Sequence, residues 1–180
     1  AANEAQDDNL IRQVHQYVAK AEEKHGKNLG YLSNNVNLLL DRNMTVEANE
    51  YVNRHAGVDP DNAEFRNAVH LRLRDADENA KSREFDKWRK ADNDQHGAFA
   101  ADYAAILFSK KDWNNFIRVL NESRARQDQR YFRSFTMDAG KTNGWISTVR
   151  NNADLAEADK VRLLVALRDL DLHNYSLYAT

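Results

Sequence analysis

The sequence predicts an all-α protein, and three observations carry that prediction. Apolar residues recur at i, i+3, i+4 spacing from one end to the other. A single proline, Pro60, and six glycines punctuate 180 residues, too few for the many tight turns of a β-sandwich. Period-two alternation of Val, Ile, Thr and Tyr is nowhere sustained. At this length one domain over residues 1–180 suffices, and such a chain buries about 70% of the surface it exposes when unfolded.

The first helix is expected from about Asn9, capped by Asp7, Asp8 or Asn9, with Leu10, Ile11, Val14, Tyr17, Val18 and Ala21 on its apolar face. Gly26 ends it, and Lys24 and His25 suit the negative pole of its dipole. A second helix, about Leu29 to Arg42, presents Leu32, Val36, Leu39 and Leu40. The break at Asn43-Met44-Thr45 leads into a third, with Thr45 as its cap and Val46, Ala48, Tyr51, Val52 and Ala56 along its face. Gly57 is placed to close that helix in the left-handed region, and Pro60 follows because it cannot continue one.

The pattern resumes after Asp61 with Ala63, Phe65, Ala68, Val69, Leu71 and Leu73, and a short fifth helix after the polar stretch Arg74 to Lys81 holds Phe85, Trp88 and Ala91. Ala91 to Gly97 reads as a connection. Ala98 to Phe108 is rich in small residues that admit a close neighbour, and Asp112 caps a helix striped by Trp113, Phe116, Ile117, Val119 and Leu120. Tyr131, Phe132, Phe135 and Met137 suggest another helix, whereas Ala139 to Gly144 is the most loop-like segment of the chain. A closing helix is expected near Asp154, with Asp154 and Glu157 at capping-box spacing and Leu155, Val161, Leu164, Val165, Leu167 and Leu170 as its apolar set.

Composition narrows the function. The 26 basic and 28 acidic residues balance to −2, so no global field draws in nucleic acid or an anionic membrane. No run of about 18 apolar residues can span a bilayer, and the chain is expected to be soluble. The absence of cysteine excludes disulfides, thiolate metal sites and cysteine nucleophiles. Ala1-Ala2-Asn3 is similar to what signal-peptide cleavage leaves, which points toward an exported, periplasmic or secreted chain.

The segment Leu32 to Pro60 resembles the tetratricopeptide repeat family, whose unit of about 34 residues is a pair of antiparallel helices with small residues at their crossing and a proline at the end. With Pro60 in the terminal position, Ala48 falls twelve residues earlier at the family's most regular alanine, and Leu32, Leu39 and Val52 fall on large apolar positions. Asn35, Val36 and His55 depart from the family's usual leucine and small residues. Ala68, Leu71 and Ala80 form a blurred second copy, and the later helix pair has hairpin form without the family's residues. The resemblance implies stacked hairpins acting as a scaffold or adaptor for a protein or peptide, with no cofactor, and a first helix whose Asn34, Asn35 and Asn37 face the partner. A non-repetitive helical bundle is the alternative fold.

Other constellations are weaker. Glu22 and His25, with His15 on the same side, make half of a di-iron Glu-x-x-His arrangement whose other half is missing. His55, His70, His96 and His173 are scattered. Acids such as Asp75, Asp77 and Glu78 are too common here to select a glycosidase pair, and Gly140 and Gly144 lack the spacing of a phosphate cradle. Arg126, Arg130 and Arg133 share a helical face beside Tyr131, Phe132 and Phe135, a pattern able to hold anions or nucleic acid. No catalytic signature appears. An enzyme with a carboxylate and histidine pocket is kept as an alternative to the binding module.

Overall fold

The computed structural model describes residues 2–58, 62–90, 98–125 and 139–170, and among these the chain is all-α, with nine helices and no strand. The chain divides into two compact units, Ala1–Ala76 and Asp77–Thr180. Unit 1 holds α1 (Ala2–His25), α2 (Leu32–Asp41), α3 (Thr45–His55) and α4 (Ala63–Arg72). Unit 2 holds α5 (Glu78–Lys90), α6 (Ala98–Ser109), α7 (Trp113–Ala125), α8 (Ala139–Asn151) and α9 (Glu157–Leu170).

In unit 1, α2 is too short to be stable alone and survives by burying Leu32, Val36 and Leu39 against α3 and α4. Asn35 of α2 bonds Tyr51 of α3, two residues equally far from Asn43, so the pair is an antiparallel hairpin. Ala48 is fully buried within it. Ser33 meets Glu64 and Asp41 meets Arg74, so α2 and α4 run parallel, 31 and 33 residues out of register. Arg12 to Glu47 and Glu22 to His55 set α1 parallel to α3 with offsets of 35 and 33.

The hairpin turn is built from the backbone. Asn43 has φ 57°, and the N–H groups of Asn43 and Met44 donate to Leu40 and Leu39, closing a Schellman motif over buried Met44. Unit 2 repeats the device between α6 and α7: Lys111 has φ 58°, and the N–H groups of Lys111 and Asp112 donate to Phe108 and Leu107. Asp112 then caps α7 through the Asn115 N–H. Helices α2, α4 and α6 begin at residues 32, 63 and 98, and α3, α5 and α7 at 45, 78 and 113, so successive counterparts lie 31, 35, 33 and 35 residues apart.

Unit 2 packs α5 on α6, α6 on α7, and α9 on both α7 and α8. Its centre is aromatic. Phe108 stacks on Trp145 at 5.5 Å, and Phe116 meets Trp145 edge-on at 5.2 Å.

Several expectations need correction. Helix α1 starts at Ala2 rather than near Asn9, because nothing in the Ala, Glu and Gln before it breaks a helix. Its apolar residues form two stripes, and Leu10, Val14 and Tyr17 are exposed while Ile11 and Val18 turn inward. Thr45 is the first residue of α3, not its cap: Met44 precedes it, with no side-chain bond to the helix end. Gly57 does not take the left-handed conformation, since the turn closes through Val58 N–H to the His55 carbonyl, and Gly26 alone among the described glycines has positive φ, at 87°. Ala139 to Gly144 is the start of α8, where burial of Trp145, Ile146 and Val149 overrides the weak helix propensity of glycine.

Helix α9 begins at Glu157, and the Ala156 carbonyl accepts from Lys160 N–H, so Asp154 and Glu157 do not form a capping box. Leu163, Ala166 and Leu167 are the residues α9 buries, whereas Val161 and Val165 are exposed. The fifth helix starts earlier than its apolar residues indicate, because the Asp77 carboxylate accepts from Ala80 N–H and caps it. Pro60, the connection from Ala91 and the aromatic segment with Tyr131, Phe132, Phe135 and Met137 lie outside the described residues.

Two substitutions test these assignments. Ala48→Leu is expected to destabilise unit 1 by about 1–3 kcal/mol through overpacking, measured by urea denaturation. Gly144→Ala, at a helical site with open space around the added methyl, is expected to stabilise the chain by about 0.5–1 kcal/mol, whereas a loop there would give no gain.

Candidate functional site

The most connected polar cluster lies where α1 meets α3. His55 is 0% exposed, its Nδ1 is 2.8 Å from the Tyr51 carbonyl, and its Nε2 is 2.8 Å from Glu22 Oε1. A carbonyl only accepts, so Nδ1 carries a hydrogen, and the second ring nitrogen is hydrogen-bonded to the Glu22 carboxyl. Arg54 lies 3.7 Å from the other Glu22 oxygen. The Tyr51 ring is flanked by His15 at 4.6 Å and His55 at 4.5 Å. Burial raises the Tyr51 phenol above its ordinary value, partly opposed by the hydrogen bond from Asn35, so it stays protonated. Burial, and after it the Arg54 guanidinium, lowers the His15 imidazole, so this ring is neutral at pH 7. The Glu22–His55 contact fastens α1 to α3, while His15 Nε2 and the Arg54 Nε are buried without a hydrogen-bond partner among the described residues. With both His55 nitrogens engaged and no exposure, that ring is not placed to act on a solute.

Above this floor opens a cleft of about 980 Å³ between the C-terminal half of α1, residues 26–31 and the α2–α3 hairpin. Tyr17, Tyr31 and Val58 stand at its mouth, 76%, 66% and 42% exposed, over Val18, Ala21, Leu29 and Asn35. Exposed large apolar side chains gathered on a concavity mark an interaction site more than scattered ones do. Sequence reasoning assigned Tyr17 to the core because both α1 stripes are apolar, and it passed over Tyr31 and Val58. The signal that singles them out is the hydrogen-bonded, hydrophilic inner face of α1, with His15 and Glu22 on the α3 side.

The three asparagines of α2 do not converge. Asn35 lines the cleft and donates to Tyr51 Oη at 3.0 Å. Asn34 is exposed. Asn37 shares the α4-facing stripe with Ser33 and Asp41 and donates to Asp41 at 3.0 Å. A smaller cavity of about 450 Å³ on that side is lined by Ser33, Asn67, His70, Leu71 and Arg74. Glu22 turns to His55 and Arg54 of α3 while His25 is exposed, so Glu22 and His25 do not act together. No group of three or more His, Cys, Asp or Glu side chains able to hold a metal occurs among the described residues. Arg126, Arg130 and Arg133 lie outside the described residues.

Unit 2 has its own polar clasp. Arg89 is 4% exposed, donates to Asp86 of α5 at 2.7 Å and to Glu122 of α7 at 2.5 Å, and lies 5.0 Å over the Tyr103 ring of α6. Burial would raise the Asp86 and Glu122 carboxyls, but their cationic partners outweigh it and hold both below the usual range. Arg89 therefore joins three helices, a structural task. Compared with protein-family models, curated proteins and solved structures, the chain matches none. No helix of the described residues is long and apolar enough to cross a membrane.

The folded state holds His15 less basic than the unfolded chain does. Unit 1 is therefore at full strength above the ordinary histidine value of about 6.5 and weakens as the pH falls through it toward the lowered folded value. Hydrogen exchange in α1 and α3 at pH 7 and pH 5, corrected for intrinsic rates, is expected to show a smaller loss of protection for His15→Gln than for the parent chain; equal losses would place the dependence elsewhere.

Proposed function

We propose that this chain is a tetratricopeptide-like helical hairpin module that acts as a scaffold or adaptor by binding a segment of a partner protein in the cleft between α1 and α2. One observation carries the reading: a cavity of about 980 Å³ coincides with exposed Tyr17, Tyr31 and Val58. Tyrosine offers large contact area with few rotamers to freeze, which suits it to a recognition surface. Of the three asparagines of α2, Asn35 lines the cleft, whereas exposed Asn34 and the α4-side Asn37 lie outside its lining.

Within unit 1 the parallel pairings of α1 with α3 and of α2 with α4, offset by 31 to 35 residues, support stacked hairpins. In such a stack one pair cannot cover its own apolar face, and successive pairs build an extended surface for a partner. At the cleft floor His55 is held by Tyr51 and Glu22, and Tyr51 by Asn35, which suits a rigid recognition surface.

Affinity capture from native extract tests the reading with the parent chain and Tyr17→Glu/Tyr31→Glu as paired baits. Both side chains are exposed, so the fold should persist. Proteins retained by the parent and depleted about tenfold or more on the variant are the expected result, since loss of aromatic anchors typically costs more than about 1.4 kcal/mol. Identical retention profiles would refute the assignment.

A further inference from the structure

We infer that the segment received by the α1–α2 cleft is an amphipathic helix, laid in the trough between the two helices with acidic residues over Lys20 and Lys24. This rests on the partner-binding reading and specifies its occupant.

The trough follows from contacts at its two ends. Asp8 of α1 lies 3.5 Å from Arg42 just beyond α2, while Tyr17 and Tyr31 line the same cleft, so α1 and α2 run antiparallel. Leu10, Val14 and Tyr17 are spaced i, i+4, i+7 on α1, and all are exposed. Tyr31, Asn35 and Leu38 have the same spacing on α2, and the tyrosine and leucine are exposed. Each stripe spans about two turns, roughly 10 Å; Tyr17, Tyr31 and Asn35 line the cleft, and exposed Leu10, Val14 and Leu38 lie along the two helices outside its lining.

Backbone chemistry selects a helix over an extended strand. The walls of the trough are helices whose interior N–H and C=O groups are already paired, and the Asn35 amide N–H is given to Tyr51. An extended segment would lose water from its own backbone with few partners in return, whereas a helix satisfies its backbone internally. Unit 1 already fills a trough of this kind, because α4 packs on both α2 and α3. Between α1 and α2 the corresponding space is the open cleft, since α1 is not closely packed on α2.

Charge fixes the flank. On the helical wheel of α1, Lys20 and Lys24 border the exposed stripe on the side away from α3, both are exposed, and neither pairs with an acid among the described residues. Glutamates on the matching edge of an incoming helix would meet them, giving specificity and salt dependence more than raw affinity.

The test uses the full chain and three labelled synthetic peptides of about 18 residues, long enough to form a helix on contact. One carries a leucine stripe flanked by glutamates, one the same stripe flanked by lysines, and one the glutamate composition permuted so that the leucines share no helical face. Fluorescence anisotropy is expected to show binding of the first, weaker by about tenfold for the second and for the third. Leu10→Glu/Val14→Glu, with an unchanged circular dichroism spectrum, is expected to weaken the first by about tenfold, while Val161→Glu in unit 2 leaves it unaltered. Equal binding of the permuted peptide would overturn the helix and leave the partner site standing. Binding by none of the peptides, with differential capture by the Tyr17 and Tyr31 baits intact, would do the same. Concentration-dependent self-association in sedimentation, abolished by Leu10→Glu/Val14→Glu, would make a second copy the occupant and also overturn the proposal.

Discussion

Unit 1 depends on one constraint: α2, ten residues long, must be covered on two sides to exist. Leu32, Val36 and Leu39 are almost wholly removed from water between α3 and α4, and Ala48 leaves room for the α3 backbone to approach. Once that seam is closed, the orientation of α2 is fixed. Its remaining faces are then assigned by the helical period alone, Ser33, Asn37 and Asp41 toward α4, and Tyr31, Asn35 and Leu38 toward α1.

Polar contacts complete what the seam begins. Helix α1 buries no side chain fully among those described and is held instead by Asp8 to Arg42, Arg12 to Glu47, and Glu22 to His55 and Arg54. Exposed ion pairs contribute little each, so the shielded Glu22–His55 contact matters most within this set. Unit 2 uses Arg89 similarly, but its fully buried residues on α6, α7, α8 and α9 make a core that α1 lacks.

Much of the fold was legible in the sequence because helical periodicity is a strong signal when prolines and glycines are scarce. The α2–α3 hairpin, its break at Asn43, the burial of Ala48 and the cap at Asp112 were all readable from residue type and spacing. The failures share a cause. Turn residues were read by type, yet Gly57, Gly140 and Gly144 took no special conformation, while Asn43 and Lys111 did, because the packing on either side sets the backbone. The cleft was hidden for a related reason: α1 has two apolar stripes, and sequence alone does not say which one His15 and Glu22 draw inward. The asparagines of α2 were visible as polar residues on a first helix, but which of them faces the cleft depends on which faces α3 and α4 occupy.

The placement of the aromatic side chains separates the two units optically. All three tryptophans, Trp88, Trp113 and Trp145, belong to unit 2, whereas Tyr17, Tyr31 and Tyr51 surround the cleft of unit 1. Light absorbed by indole alone thus senses the melting of one half of the molecule, and events at the tyrosine-lined mouth leave that emission silent unless they reach the other half.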